Sequence, residues 1–362
     1  MTDKYDWSIF DLNQQEIGSG PKTAGDLTAE QAESAMRQML KNDVHPATLG
    51  VFLLANRWKT NTQEELVGYT ETMRKESVRI AEPDADPVDC GANYDGKVKS
   101  AVLSVAAGVI AAAAGTPIVG HSGDRVPTKH GTTYKHVLDG LGVATDLEPE
   151  DSARMVDETG FGFYYQPRFN PGIHRLLDVR NQFGVRTVLN TIETFANPAN
   201  ATVHIGSFYH LPFAKKTIDT FSGSDDQDVR RILMFQGMEG YDDLRPGYTK
   251  LAEWTEEDGI SDDEIETAKY GMDIENEDLY VDDVDADSAE ITQRILEDDL
   301  EGPFQQATLL NAGLRIYAGG DASSLSQGLE EAEEVLESGA PGQVLDKLRQ
   351  FQPSSSETVA TG

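Results

Sequence analysis

The sequence is poor in cysteine and in positive charge, and it lacks a long uninterrupted apolar run. Its single cysteine, Cys90, excludes an intramolecular disulfide framework and a cysteine-rich zinc site. The 30 basic residues stand against 63 acidic ones, a formal net charge of −33 at pH 7. A surface of that sign repels nucleic-acid phosphates and anionic lipid. It also fits a salt-rich cytoplasm, where screening shortens the reach of self-repulsion and a dense acidic surface stays in solution. The uncharged stretch 101–119 is interrupted by Gly115, Thr116 and Pro117 below the roughly 20 residues that a membrane span needs. It reads as a buried helix followed by a buried strand. Asp3, Lys4 and Asp6 stand where a signal peptide needs a basic start and an apolar run, so a cytoplasmic location is expected. The remainder is a chain of 362 residues, 38% hydrophobic and 26% charged, with enough apolar side chain for a packed core and enough length for more than one domain.

Residues 28–77 read as helices. Thr28 with Gln31 forms a capping box ahead of Ala32, Ala35, Met36 and Met39 at helical spacing. A second helix runs from Pro46 to Trp58, and Thr62 with Glu65 opens a third. The polar stretch 82–87, twice interrupted by proline, reads as a hinge. Beyond it short β-like runs (118–119, 161–163, 204–208 and 232–235) alternate with helical patterns (132–141, 152–158 and 212–221). That alternation predicts an α/β domain with a mostly parallel sheet covered on both faces. Residues 256–301 are densely acidic but retain Ile265, Ile274, Leu279 and Val281, and read as a folded, solvated surface. Helices at 305–317 and 328–351 close the chain. No internal repeat is present. The expected plan is a helical domain at 16–80, a hinge at 81–88, an α/β domain at 89–350 and a disordered tail at 351–362.

Four segments could carry chemistry. Residues 89–96 include Gly91, Asn93, Asp95 and Gly96, a glycine-bearing loop able to turn backbone N–H groups toward an anion; a plain surface turn is equally consistent. Residues 121–133 follow a buried strand and precede a helix, where open α/β sheets bind ligands. There Arg125 and Lys129 run against the global charge, with His121 and the hydroxyls of Thr132 and Thr133 beside them, so a phosphate site is expected. Asp242 and Asp243 follow the strand 232–235 and suit Mg²⁺ held by one or two carboxylates plus substrate phosphates; in so acidic a chain, chance pairing weighs as much. Arg180 could grip a carboxylate with both arms of its guanidinium, and Arg186 is equally a structural ion-pair residue. No Ser/His/Asp triad, Walker loop or helix-borne histidine pair is present.

Taken in order, these segments resemble the anthranilate phosphoribosyltransferase family from about Ile17 to Leu348. The match rests on Pro46-Ala47-Thr48-Leu49 and Thr62-Gln63-Glu64-Glu65 in the helical part. It continues through Val179-Arg180, Gly184-Val185-Arg186-Thr187, Asn190 and Asn197-Pro198-Ala199, and ends at Asn311-Ala312-Gly313-Leu314-Arg315-Ile316-Tyr317. The resemblance implies a small helical domain hinged to an α/β domain, a homodimer, and transfer of phosphoribosyl from phosphoribosyl pyrophosphate to the amine of anthranilate or a related aromatic amine. It implies that residues 91–96 form the pyrophosphate loop, that Arg125 and Lys129 bind phosphate, that Arg180 holds the acceptor carboxylate, and that Asp242 and Asp243 hold Mg²⁺. The chain departs from the family pattern at Ala92-Asn93-Tyr94, at Val102-Leu103-Ser104-Val105, where Ser104 alone is kept, and at Glu193-Thr194. These departures resemble a divergent paralogue group, which implies the alternative of a non-catalytic protein that binds nucleic acid or nucleotides.

Overall fold

The computed structural model describes residues 7–354 apart from residue 21. The acidic start of the chain and the end of the expected tail lie outside the described residues. Helices α1 (Ile9–Gln15), α2 (Ala29–Lys41), α3 (Pro46–Lys59) and α4 (Gln63–Glu76) form a bundle. Thr28 and Thr62 cap α2 and α4 as the sequence predicts. In each case the threonine hydroxyl accepts the third helical N–H, and the Gln31 or Glu65 side chain returns to the cap amide. Gly68 lets α4 lie close against the start of α2, because a Cβ there would meet the Ala29 carbonyl oxygen at 2.8 Å.

The second unit is a seven-stranded sheet of β1 (Val88–Gly91), β2 (Ile118–Ser122), β3 (Phe161–Tyr165), β4 (Val203–Phe208), β5 (Arg231–Gln236), β6 (Tyr248–Thr255) and β7 (Gly259–Glu266). The strand order is β3-β2-β1-β4-β5-β6-β7. The first five are parallel, and β6 and β7 add an antiparallel hairpin at one edge. The uncharged stretch forms helix α5 (Ser104–Ala114), which stops at Gly115 in the left-handed conformation and leads into β2. All five residues of β2 are buried. The core of this unit packs α5 and the helix Pro303–Gly319 against the sheet.

Three features differ from the expected plan. The hairpin β6–β7 has no place in it, because a mostly exposed acidic strand such as Gly259–Glu266 offers no alternating apolar signal. Residues 166–195 leave the sheet after β3 and join the helical bundle, where Ile173, Leu176, Val188, Leu189 and Ile192 share a core with Leu40, Phe52, Leu66 and Met73. Finally, Phe351 is not part of a disordered tail. It is 5% exposed, the Arg154 guanidinium lies 4.6 Å from its ring centroid, and Ser354 donates from N and Oγ to Asp151. The hinge region is tied down as well: Arg79 N donates to the Phe169 carbonyl and Ala81 N to that of Pro198.

Candidate functional site

Strand β1 lies between β2 and β4, so successive connections leave it in opposite directions across the sheet. Such a switch point opens a crevice outside the strands' carboxyl ends. The loop following β1 sits there. Gly96 has φ 74, and a Cβ on it would meet the Thr132 carbonyl oxygen at 2.5 Å; only glycine lets the loops after β1 and β2 come so close. Lys97 N donates to Thr132 O at 2.9 Å, and Gly131 N to Asp95 O at 2.8 Å. The Asn93 amide donates to the Gly240 carbonyl. Arg186 donates to Asn93 Oδ1 at 2.8 Å and stands 3.3 Å from Asp95, which is the structural ion-pair reading of that arginine. Lys129 Nζ donates to the carbonyls of Gly96 at 3.0 Å and Glu239 at 2.7 Å. Burial is the main cause pushing its pKa down from the ordinary lysine value. Gly91, Asn93, Asp95, Gly96 and Lys129 are thus gathered in one place. Beside them opens a cavity of about 350 Å³ whose walls include Lys99, Lys129, Tyr209, Glu239, Arg245 and Tyr280.

Other expected residues are placed elsewhere. His121 is wholly buried beneath this loop: its ring is hydrogen-bonded to the Tyr94 hydroxyl, and its Nε2 lies 3.2 Å from Asp89. Asp89 also receives His204 Nδ1 at 2.7 Å. Burial alone would raise the Asp89 carboxyl, but the charge and hydrogen bond of His121, with those of His204, outweigh it and hold the carboxyl well below the usual range. Arg125 and Thr132 both turn to Asp285 rather than to the cavity. His121, Arg125 and Thr132, expected at a phosphate site, are therefore each bonded to a protein partner in this structure and are not among the residues that line the cavity.

Ser104, Asp242 and Asp243 form a closed network. Ser104 Oγ lies 2.8 Å from Asp242 Oδ1 and 2.6 Å from Asp243 Oδ1. Asp242 Oδ2 accepts from Tyr134 OH at 2.6 Å and Arg315 Nη2 at 2.9 Å. Asp243 Oδ2 accepts from Lys97 Nζ at 2.8 Å and Leu103 N at 3.2 Å. The two carboxylates are 0% and 2% exposed, and the buried ammonium of Lys97 and guanidinium of Arg315 balance their charge. Mg²⁺ demands octahedral oxygen ligands and usually keeps several waters. Both carboxylates are out of solvent and paired with Arg315 and Lys97, and the one hydroxyl proton of Ser104 serves one Oδ1 atom at a time, so in this arrangement Asp242 and Asp243 present no open face to a hydrated Mg²⁺. Among the described residues no group of three or more His, Cys, Asp or Glu side chains is placed to hold a metal.

Arg180 is likewise engaged. Its Nη1 and Nη2 donate to the two oxygens of Glu193 at 2.8 Å each, and Gln166 Nε2 donates to Glu193 Oε2 at 3.0 Å. Both charged groups are buried. A carboxylate does meet Arg180 with the expected bidentate geometry, but it belongs to the chain itself.

Lys99, Glu239 and Arg245 line the cavity and Lys97 pairs with Asp243 beside it, none of them singled out by the sequence reading, while Glu193, noted there only as a departure from the family pattern, is the partner of Arg180. Lys97 and Lys99 carry a usable signal, two lysines within three positions after a glycine in an acidic chain. Arg315 is visible as the charged residue in an otherwise apolar helical run, the usual sign of a buried partner.

The architecture is an open, mostly parallel sheet with its crevice at a switch point, joined to a helical bundle. The match to known families is direct: the model of the glycosyl transferase family, a/b domain, covers residues 89–341, and that of the family's helical bundle domain covers 15–77. The chain belongs to the glycosyl transferase family. Among named relatives, the anthranilate phosphoribosyltransferase of Methanopyrus kandleri is 30% identical over 329 residues, covering 89% of this chain and 95% of the relative. That of Natronomonas pharaonis is 30% identical, with 91% and 96% covered. The crystal structure of anthranilate phosphoribosyltransferase from Thermus thermophilus superposes with a TM-score of 0.77 at 27% identity, covering 90% of this chain and 96% of that one. The Saccharomyces cerevisiae enzyme, solved in complex with phosphoribosyl pyrophosphate and Mg, superposes at 0.79 with 17% identity, covering 95% and 98%, and shares the fold.

Proposed function

We propose that this protein transfers the phosphoribosyl group of phosphoribosyl pyrophosphate to the amine of anthranilate, releasing pyrophosphate. The observation that carries the reading is the charge at the crevice. Lys99, Lys129 and Arg245 line one cavity and make no ion pair among the described residues, in a chain whose net charge is −33. Lys129 and Arg245 are held only by backbone carbonyls. As the bond from ribose to pyrophosphate breaks, negative charge builds on the leaving group, and preorganised cations stabilise it more than they stabilise the intact donor. The acceptor amine needs positioning more than a base. Mg²⁺ belongs to the reading as a counter-ion arriving with the donor's phosphates rather than as a ligand of Asp242 and Asp243. A homodimer is proposed as well, since Phe10 on α1 and Val51 and Trp58 on α3 are 57%, 54% and 64% exposed on helices that pack together.

The test is to incubate the protein with phosphoribosyl pyrophosphate, Mg²⁺ and anthranilate in high KCl, following anthranilate fluorescence and pyrophosphate release. Loss of fluorescence matched by pyrophosphate release supports the transferase. No turnover, together with binding of single-stranded nucleic acid under the same salt, supports the non-catalytic alternative instead.

A further inference from the structure

Three consecutive backbone amides after the β1 loop converge on one point. Val98 N donates to Glu239 Oε2 at 3.0 Å, while Lys99 N at 3.2 Å, Ser100 N at 2.8 Å and Ser100 Oγ at 2.8 Å all donate to Glu239 Oε1. Successive N–H groups with a hydroxyl beside them make an anion-binding concavity. Its occupant comes from an uncommon backbone: Glu239 has φ 54, in the left-handed region that non-glycine residues seldom adopt. Lys129 Nζ holds that conformation by donating to the Glu239 carbonyl. Burial pushes the Glu239 carboxyl up, but the amides of Ser100 and Val98 outweigh it and hold the group below its ordinary value. The concavity borders the cavity that Lys99, Lys129 and Arg245 line, and Glu239 is part of the wall. Elsewhere in the chain exposed cations such as Arg125, Arg168 and Arg230 are matched by acids.

We propose that the amides of residues 98–100 with the Ser100 hydroxyl form a phosphate seat, and that Glu239 is a resident carboxylate which a phosphate group displaces. The inference rests on the phosphoribosyl-transfer reading and deepens it, by naming where one donor phosphate binds and what must leave first. A phosphate presents three oxygens and nearly two charges to the same donors and to the three nearby cations, where Glu239 presents two oxygens and one charge. Displacement also removes the single negative group that lines the cavity among the described residues.

The experiment uses the full chain with inorganic pyrophosphate as probe, titrated by calorimetry in high KCl against wild type, Glu239→Gln and Glu239→Gly. The glutamine keeps the shape without the charge, and the glycine empties the seat while accepting the positive φ. Both variants are expected to bind pyrophosphate about tenfold more tightly or better, and Ser100→Ala added to Glu239→Gln is expected to reverse most of the gain. Unchanged or weaker binding in Glu239→Gln overturns the inference and makes Glu239 a structural clamp on the loop. Should the glycine variant fail to fold, the glutamine variant still decides. The two claims fail separately: tighter pyrophosphate binding without product formation removes the transferase reading alone, and turnover with no gain in Glu239→Gln removes the phosphate seat alone.

Discussion

The pairing of Arg180 with Glu193 permits a quantitative test of what this arginine does. Both side chains are buried and joined by two hydrogen bonds of 2.8 Å. In Arg180→Gln the Glu193 carboxylate stays buried with only Gln166 Nε2, 3.0 Å away, as its remaining side-chain donor. Leaving one buried charge uncompensated costs about 3–5 kcal/mol, enough to lower the urea midpoint clearly. Glu193→Gln strands the guanidinium in the same way. The double variant Arg180→Gln/Glu193→Gln keeps the shape and removes both charges, so its loss should fall well short of the two single losses combined, with a coupling of at least about 2 kcal/mol. The assay is urea unfolding with a common slope across the four proteins. The double variant also separates a structural arginine from a substrate clamp. If Arg180 is committed to Glu193, the KM for anthranilate stays within about twofold of wild type. If Arg180 instead grips the acceptor, losing hydrogen bonds to a charged group costs about 1.5–3 kcal/mol, and KM rises tenfold or more. Additive single losses, or a KM rise of that size, would refute the pairing as the working state of the site.

Three further outcomes are expected. Replacing Lys97 with Ala strips Asp243 of its buried ammonium, so Mg²⁺ should raise the thermal midpoint of that variant and leave wild type unmoved when no phosphate ligand is present; a Mg²⁺-dependent shift in wild type that Asp243→Asn abolishes would contradict the closed network. Asp89 has a folded-state pKa depressed below its unfolded value of about 3.9. Its stabilising effect is therefore fully present above that value and lost as pH falls through the folded one, and the stability gap between wild type and Asp89→Asn should shrink below about pH 4; a gap constant with pH would be inconsistent. With a net charge of −33, self-repulsion is large and screenable, so the thermal midpoint should climb as KCl is raised from the millimolar to the molar range, and a flat or falling midpoint would count against an acidic surface adapted to salt.

Local signals in the sequence determined the elements. Thr28 and Thr62 with their third-residue partners fix where α2 and α4 begin, because a cap is satisfied within four residues. The uncharged run before Gly115 is apolar on every side, and such a helix can only be buried. The alternation of short apolar runs with helical patterns requires crossover connections, hence a parallel sheet. Gly96 pointed to a close approach, since a loop that touches another needs a residue without a side chain at the contact. What only the tertiary structure decided was the state of the charges. Arg180 reads the same in a sequence whether it awaits a ligand or is spent on Glu193, and Asp243 reads the same whether it faces water or Lys97, which lies 146 positions away. The edge hairpin β6–β7 was hidden for a related reason: its pairing is made by backbone groups that every residue carries. Whether a charged side chain is available depends on its distance from other charges and on its removal from water, and both are set by contacts between segments far apart in the chain.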